Sequence, residues 1–105
     1  MNDHELLKLA AKAAGIEIEP CTCSDPKWPF RLAHGFIKPH WNPIEDDADA
    51  LRLAVHLRLI VCPYEGSIIV DNGLRMIEEH DLSDRAAATR RAITRAAADV
   101  GKAMP

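Results

Sequence analysis

The chain has 105 residues, which is one domain (residues 1–105) with room for one core. Hydrophobic residues make up 48% and charged residues 28%, which excludes wholesale disorder, collagen-like repeats and low-complexity sequence. A formal net charge of −3 gives no global attraction to nucleic acid or to an anionic membrane surface.

The start, Met1-Asn2-Asp3-His4-Glu5, is acidic, whereas an export signal begins basic and turns apolar. A cytoplasmic location is therefore expected. The longest apolar run, Leu53 to Cys62, is short and interrupted by His56 and Arg58, so no membrane span is expected. Cys21, Cys23 and Cys62 are too few, and odd in number, for a disulfide framework, and they read as free thiols.

Residues 3–14 predict a helix capped by Asn2 or Asp3 and stopped at Gly15. Leu6, Leu7, Ala10, Ala11 and Ala14 form its apolar stripe, with Glu5, Lys8 and Lys12 outside it. Ile16 to Glu19 alternates like a short strand that Pro20 ends. Residues 20–43 hold five of the seven prolines and both tryptophans, and predict an irregular segment with a brief strand at Phe30–Ala33 or Gly35–Ile37.

The pattern over residues 45–58 predicts a second helix, with Asp46, Asp47 and Asp49 at its positive end. Its polar residues, Glu45, Asp49, Arg52 and His56, fall on one narrow strip. The rest is apolar, which predicts a helix covered on more than one side, either central in the fold or in a subunit contact. Leu59–Cys62, Ser67–Val70 and Leu74–Glu79 predict strands, with Asn72-Gly73 suited to a type I′ hairpin turn. Ser83 is placed to cap a last helix over residues 84–100, with Gly101 as its stop. The expected fold is α+β: three helices packed on a small, mainly antiparallel sheet, an α-β-α sandwich-like arrangement that buries both sheet faces.

Two stretches carry a family resemblance. Trp41-Asn42-Pro43-Ile44-Glu45-Asp46-Asp47-Ala48-Asp49-Ala50-Leu51 and Ala88-Thr89-Arg90-Arg91-Ala92-Ile93, with the opening helix, resemble the phage ABA sandwich domain family of small phage and prophage proteins. Ala48 stands where that family's pattern has glycine. The resemblance implies a compact domain of helices around a sheet, made in a bacterial host, and supplies no activity, cofactor or catalytic residue.

Four constellations bear on function. Cys21, Cys23, His34 and His40 are of the residue types that close a tetrahedral zinc site, although one residue between the cysteines is tight spacing. Zinc is thus the one cofactor alternative to none. Glu45, Asp46, Asp47 and Asp49 offer oxygen ligands but lack a calcium-loop spacing, and helix capping accounts for them. Residues 85–105 carry a charge of +4 against −7 for the rest, and Arg91, Arg95 and Lys102 share one helix face, the alternative nucleic-acid surface. Cys62 with His56 or His80 is the only thiol–imidazole pairing to weigh, and no nucleophile-elbow, P-loop or dinucleotide motif occurs, so no enzyme is expected. The favoured reading is an accessory protein acting by protein contact, through self-association or with another phage or host protein. Trp28, Trp41, Leu53 and Leu57 are its candidate interface residues.

Overall fold

The computed structural model describes residues 1–80 and 83–105. In chain order the elements are α1 (Asp3–Ala14), β1 (Ile18–Pro20), β2 (Phe30–Leu32), β3 (His40–Trp41), α2 (Asp47–His56), β4 (Ile60–Tyr64), β5 (Ser67–Asp71), β6 (Met76–His80) and α3 (Arg85–Ala103). The fold is α+β, as the sequence predicts. The strands form two antiparallel three-stranded sheets, β1-β2-β3 and β4-β5-β6, instead of one. No helix among the described residues is long and apolar enough to cross a membrane.

The first helix follows local chemistry. The Asn2 side chain accepts a hydrogen bond from the Glu5 N–H at 2.9 Å, and Gly15 turns left-handed at φ 67°. All five residues of the expected stripe are buried.

The last helix departs from expectation at both ends. Asp84, not Ser83, is the N-cap, accepting from the Ala87 N–H at 3.0 Å. Gly101 does not stop the helix, which runs on to Ala103. The glycine serves packing instead: a Cβ there would lie 2.0 Å from the Leu9 carbonyl oxygen. Alanines and this glycine make up most of the buried residues of α3, so α1 and α3 cross backbone to backbone, the most extensive helix contact in the fold. Helix α3 also packs on β5, β6 and α2, and it is therefore α3, not α2, that is central.

Helix α2 is covered on one side only. Ala50, Leu53 and Ala54 are buried, while Leu51 and Val55 are 63% and 69% exposed. Its entry is tied down by side chains. Asp46 caps it by accepting from the Asp49 N–H, and the Asp49 carboxylate accepts from the Asn42 N–H, each at 2.9 Å.

In the β4-β5-β6 sheet, alternation sends Ile68, Val70 and Ile77 into the core. Ile60, Cys62, Tyr64, Ile69 and Met76 share the opposite face. Ile60 (59%), Tyr64 (54%) and Met76 (70%) are exposed there. The expectation that helices bury both sheet faces is thus corrected: α3 covers one face, because it is spent between α1 and the sheet.

The β5–β6 turn is also not a two-residue type I′ turn. Asp71 pairs with Met76, so four residues form the loop, and of Asn72 and Gly73 only the glycine has positive φ, at 85°. Asn72 instead spends its side chain. Its oxygen accepts from the Leu74 and Arg75 N–H groups, and its amide donates to the Ala96 carbonyl and the Asp99 carboxylate, locking the hairpin to α3.

Candidate metal centre

The irregular segment is organised as a small meander. Pro20 pairs with Phe30, which pairs with Trp41, and the Cys21 N–H donates to the Pro29 carbonyl at 3.0 Å. The loop from Cys21 to Pro29 is closed by the Trp28 N–H donating to the Asp25 carbonyl. The Asn42 side chain pins it to the start of α2 by donating to the Lys27 carbonyl at 2.7 Å.

This folding brings Cys21, Cys23 and His40 together, with one ligand atom from each lying within 4.8 Å of the others. The two Sγ atoms are 3.2 Å apart. Two thiolates bound to one zinc ion, each at about 2.3 Å, sit about 3.8 Å apart, so small side-chain shifts reach that geometry. The Trp28 ring stacks on the His40 imidazole, with ring centres 4.9 Å apart and an angle of 23°. That contact limits the rotamers open to His40, and Trp28 is half-buried beneath it.

The electrostatics distinguish the two thiols. Hydrogen bonds from the Cys23 backbone N–H and then the Cys23 thiol lower the pKa of Cys21, and the Arg31 charge adds to them. Cys23 is pushed up, first by its hydrogen bond with Cys21. Cys21 is thus the first thiolate of the pair, and a cation arriving at the cluster favours release of the second proton.

His34 does not join them. Its Nε2 lies 2.6 Å from a carboxylate oxygen of Glu17, an exposed residue just before β1. Three of the four residues in the expected zinc set therefore converge. What spacing could not reveal is that β3 carries His40 to the loop while the 33–39 connection leaves His34 behind.

The other constellations fare differently. Of the interface residues, Trp41 and Leu53 are 4% and 1% exposed and belong to the core, Leu57 is half-buried against it, and Trp28 packs on His40. The arginines are engaged within the chain: Arg91 pairs with Asp3 at 3.1 Å, and Arg95 pairs with Glu79 and donates to the Glu78 carbonyl. Lys102 is exposed. No hydrogen bond among the described residues joins Cys62 to His56 or His80.

The acidic run is divided among structural tasks. Asp46 caps α2, Asp47 pairs with Arg90 at 2.7 Å, and Asp49 holds Asn42 and Arg52. Burial raises the pKa of Asp49, outweighing the Asn42 N–H and Arg52 that pull it down. The folded chain thus binds this proton more tightly than the unfolded one. Stability contributed by the group is present below the ordinary aspartate range and is lost as pH rises through the raised folded value. Asp49→Asn, whose amide oxygen keeps the bond from the Asn42 N–H, is expected to raise the melting temperature at pH 7 and to leave it nearly unchanged at pH 3. A lower melting temperature than wild type at pH 7 would count against that assignment.

No known protein family, curated protein or solved structure matches this chain. The site is therefore read from its own chemistry.

Proposed function

We propose that this chain is a zinc-stapled binding module, with Cys21, Cys23 and His40 as the metal ligands. The convergence of these three side chains carries the reading. Two thiolates and one imidazole suit zinc better than hard cations, which prefer oxygen. No fourth histidine, cysteine or carboxylate side chain belongs to the cluster among the described residues, and water can take the remaining position. Bound metal would hold the 21–29 loop against β3, a task that hydrogen bonds alone perform in its absence.

The test is native mass spectrometry of untagged protein purified without chelator. One zinc per chain is expected, lost in Cys23→Ser and His40→Ala, with cobalt substitution giving a sulfur-to-metal charge-transfer band. Metal-free protein that takes up neither zinc nor cobalt would overturn the reading. So would a chain lighter by two hydrogens, marking a Cys21–Cys23 disulfide.

A second reading is protein contact by a phage or prophage accessory protein. The exposed apolar residues Ile60, Tyr64 and Met76, set among Asp71, Glu78 and His80 on the outer face of the β4-β5-β6 sheet, favour it. The same spectrum reads it as a dimer mass. A chain that stays monomeric at tens of micromolar would remove self-association through that face.

A further inference from the structure

A second site lies between α1 and the first sheet. A cleft of about 540 Å³ opens there, with Ile16, Ile18, Pro20 and Phe30 among its apolar lining and Ala11 at its base. This volume is in the range of small-molecule sites. Its other wall is one face of α1, where His4, Lys8 and Lys12 recur every four residues, about 12 Å from end to end.

The charge of the cleft is one-sided, and strand alternation explains it. Along β1 and the two residues before it, the apolar residues Ile16, Ile18 and Pro20 line the cleft, while Glu17 and Glu19 lie between them in sequence and are not part of its lining. Both are occupied: Glu17 with His34, and Glu19 with Arg31 at 2.8 Å and Lys38 at 3.0 Å. Those two cations hold the Glu19 carboxyl below its usual range. Lys8 makes no ion pair among the described residues, and Lys12 reaches only the Met104 carbonyl, at 3.2 Å. His4 packs edge-on against Phe30 at the cleft rim, with ring centres 5.4 Å apart. In a chain of net charge −3, two ammonium groups one turn apart thus border an apolar trough with no carboxylate lining it.

We propose that this cleft binds a small amphipathic carboxylate, its apolar body lying along Ile16, Ile18 and Phe30 and its carboxylate between Lys8 and Lys12. One carboxylate has two oxygens, and lysines at i and i+4 can each donate to one of them. The acyl chain then runs from that carboxylate along the trough beside Ile18 and Phe30. The proposal is independent of the metal reading, because none of the cleft residues named here is a proposed metal ligand.

The experiment is calorimetric titration with decanoate below its micellar concentration, with decanol and decylammonium as probes of the same body and a different head. Backbone amide shifts locate the site. Saturable 1:1 binding of decanoate is expected, with the shifts confined to residues 4–18 and 29–30. Decanol and decylammonium should bind at least about tenfold more weakly, the loss of one charge-assisted hydrogen bond. The double variants Lys8→Gln/Lys12→Gln and Lys8→Glu/Lys12→Glu should weaken decanoate by a similar or larger factor while keeping the wild-type circular dichroism. Both positions are exposed, so the neutral pair keeps the test valid if charge reversal disturbs the fold. Equal affinity for decanol and decanoate, wild-type affinity in the folded glutamine pair, or shifts centred on residues 60–80 would each overturn the proposal.

Discussion

Gly101→Ala is expected to destabilise the protein by about 3 kcal/mol, near the upper end for overpacking a close contact. In an isolated helix the same change would help, by about 1 kcal/mol, since alanine is the better helix former. Here the sign reverses. The added Cβ would stand 2.0 Å from the Leu9 carbonyl oxygen and 2.9 Å from its carbon. Both are backbone atoms, so no side-chain rotation relieves the clash, and α1 as a whole must move away from α3. That separation loosens the largest helix contact in a domain whose total stability is of order 5–15 kcal/mol. For a chain of this size the melting temperature should fall by roughly 15 °C. Thermal unfolding followed by circular dichroism checks it, with Lys102→Ala, next along the helix and exposed, as the control. A Gly101→Ala protein as stable as wild type would mean that the two helices stand farther apart.

Leu53→Ala is expected to cost about 2–5 kcal/mol, the usual loss for a buried leucine whose cavity refills only in part. Leu53 is 1% exposed in the main core cluster. Its helix neighbours Leu51 and Val55 face solvent, and Leu51→Ala and Val55→Ala should stay within about 0.5 kcal/mol. Urea unfolding of the three variants separates the two faces of α2. The result bears on function because Leu53 and Leu51 are both apolar and the sequence alone does not say which meets a partner. If Leu53→Ala were neutral to folding yet changed the oligomer mass, the helix would be turned the other way in its packing.

What could be read from the residues follows from how local each interaction is. The α1 boundaries were legible because the Asn2 cap and the left-handed Gly15 act within four residues of themselves. The hairpin at Asp71–Met76 was legible as a reversal, but its turn type was not. Asn72 is held by bonds to Ala96 and Asp99, more than twenty residues away, and those outweigh the local preference for positive φ. The candidate site was half legible. Ligand types near one another in sequence named Cys21, Cys23 and His40, while the exclusion of His34 depended on the path of the 33–39 connection and on Glu17 across the sheet.

The sequence by itself determined the α+β class, the three helices and the buried stripe of α1, and the set of thiols and imidazoles from which a metal site can be drawn. Periodicity and capping are properties of contiguous residues, and no partner is needed to read them. The tertiary structure alone decided that the strands divide into two sheets, that α3 rather than α2 is central, and that Gly101 is a crossing point instead of a helix stop. It also decided which apolar side chains are covered and that Lys8 and Lys12 border an apolar cleft. Each of these depends on which element lies opposite, a relation between residues far apart in the chain, and composition and spacing carry no record of it.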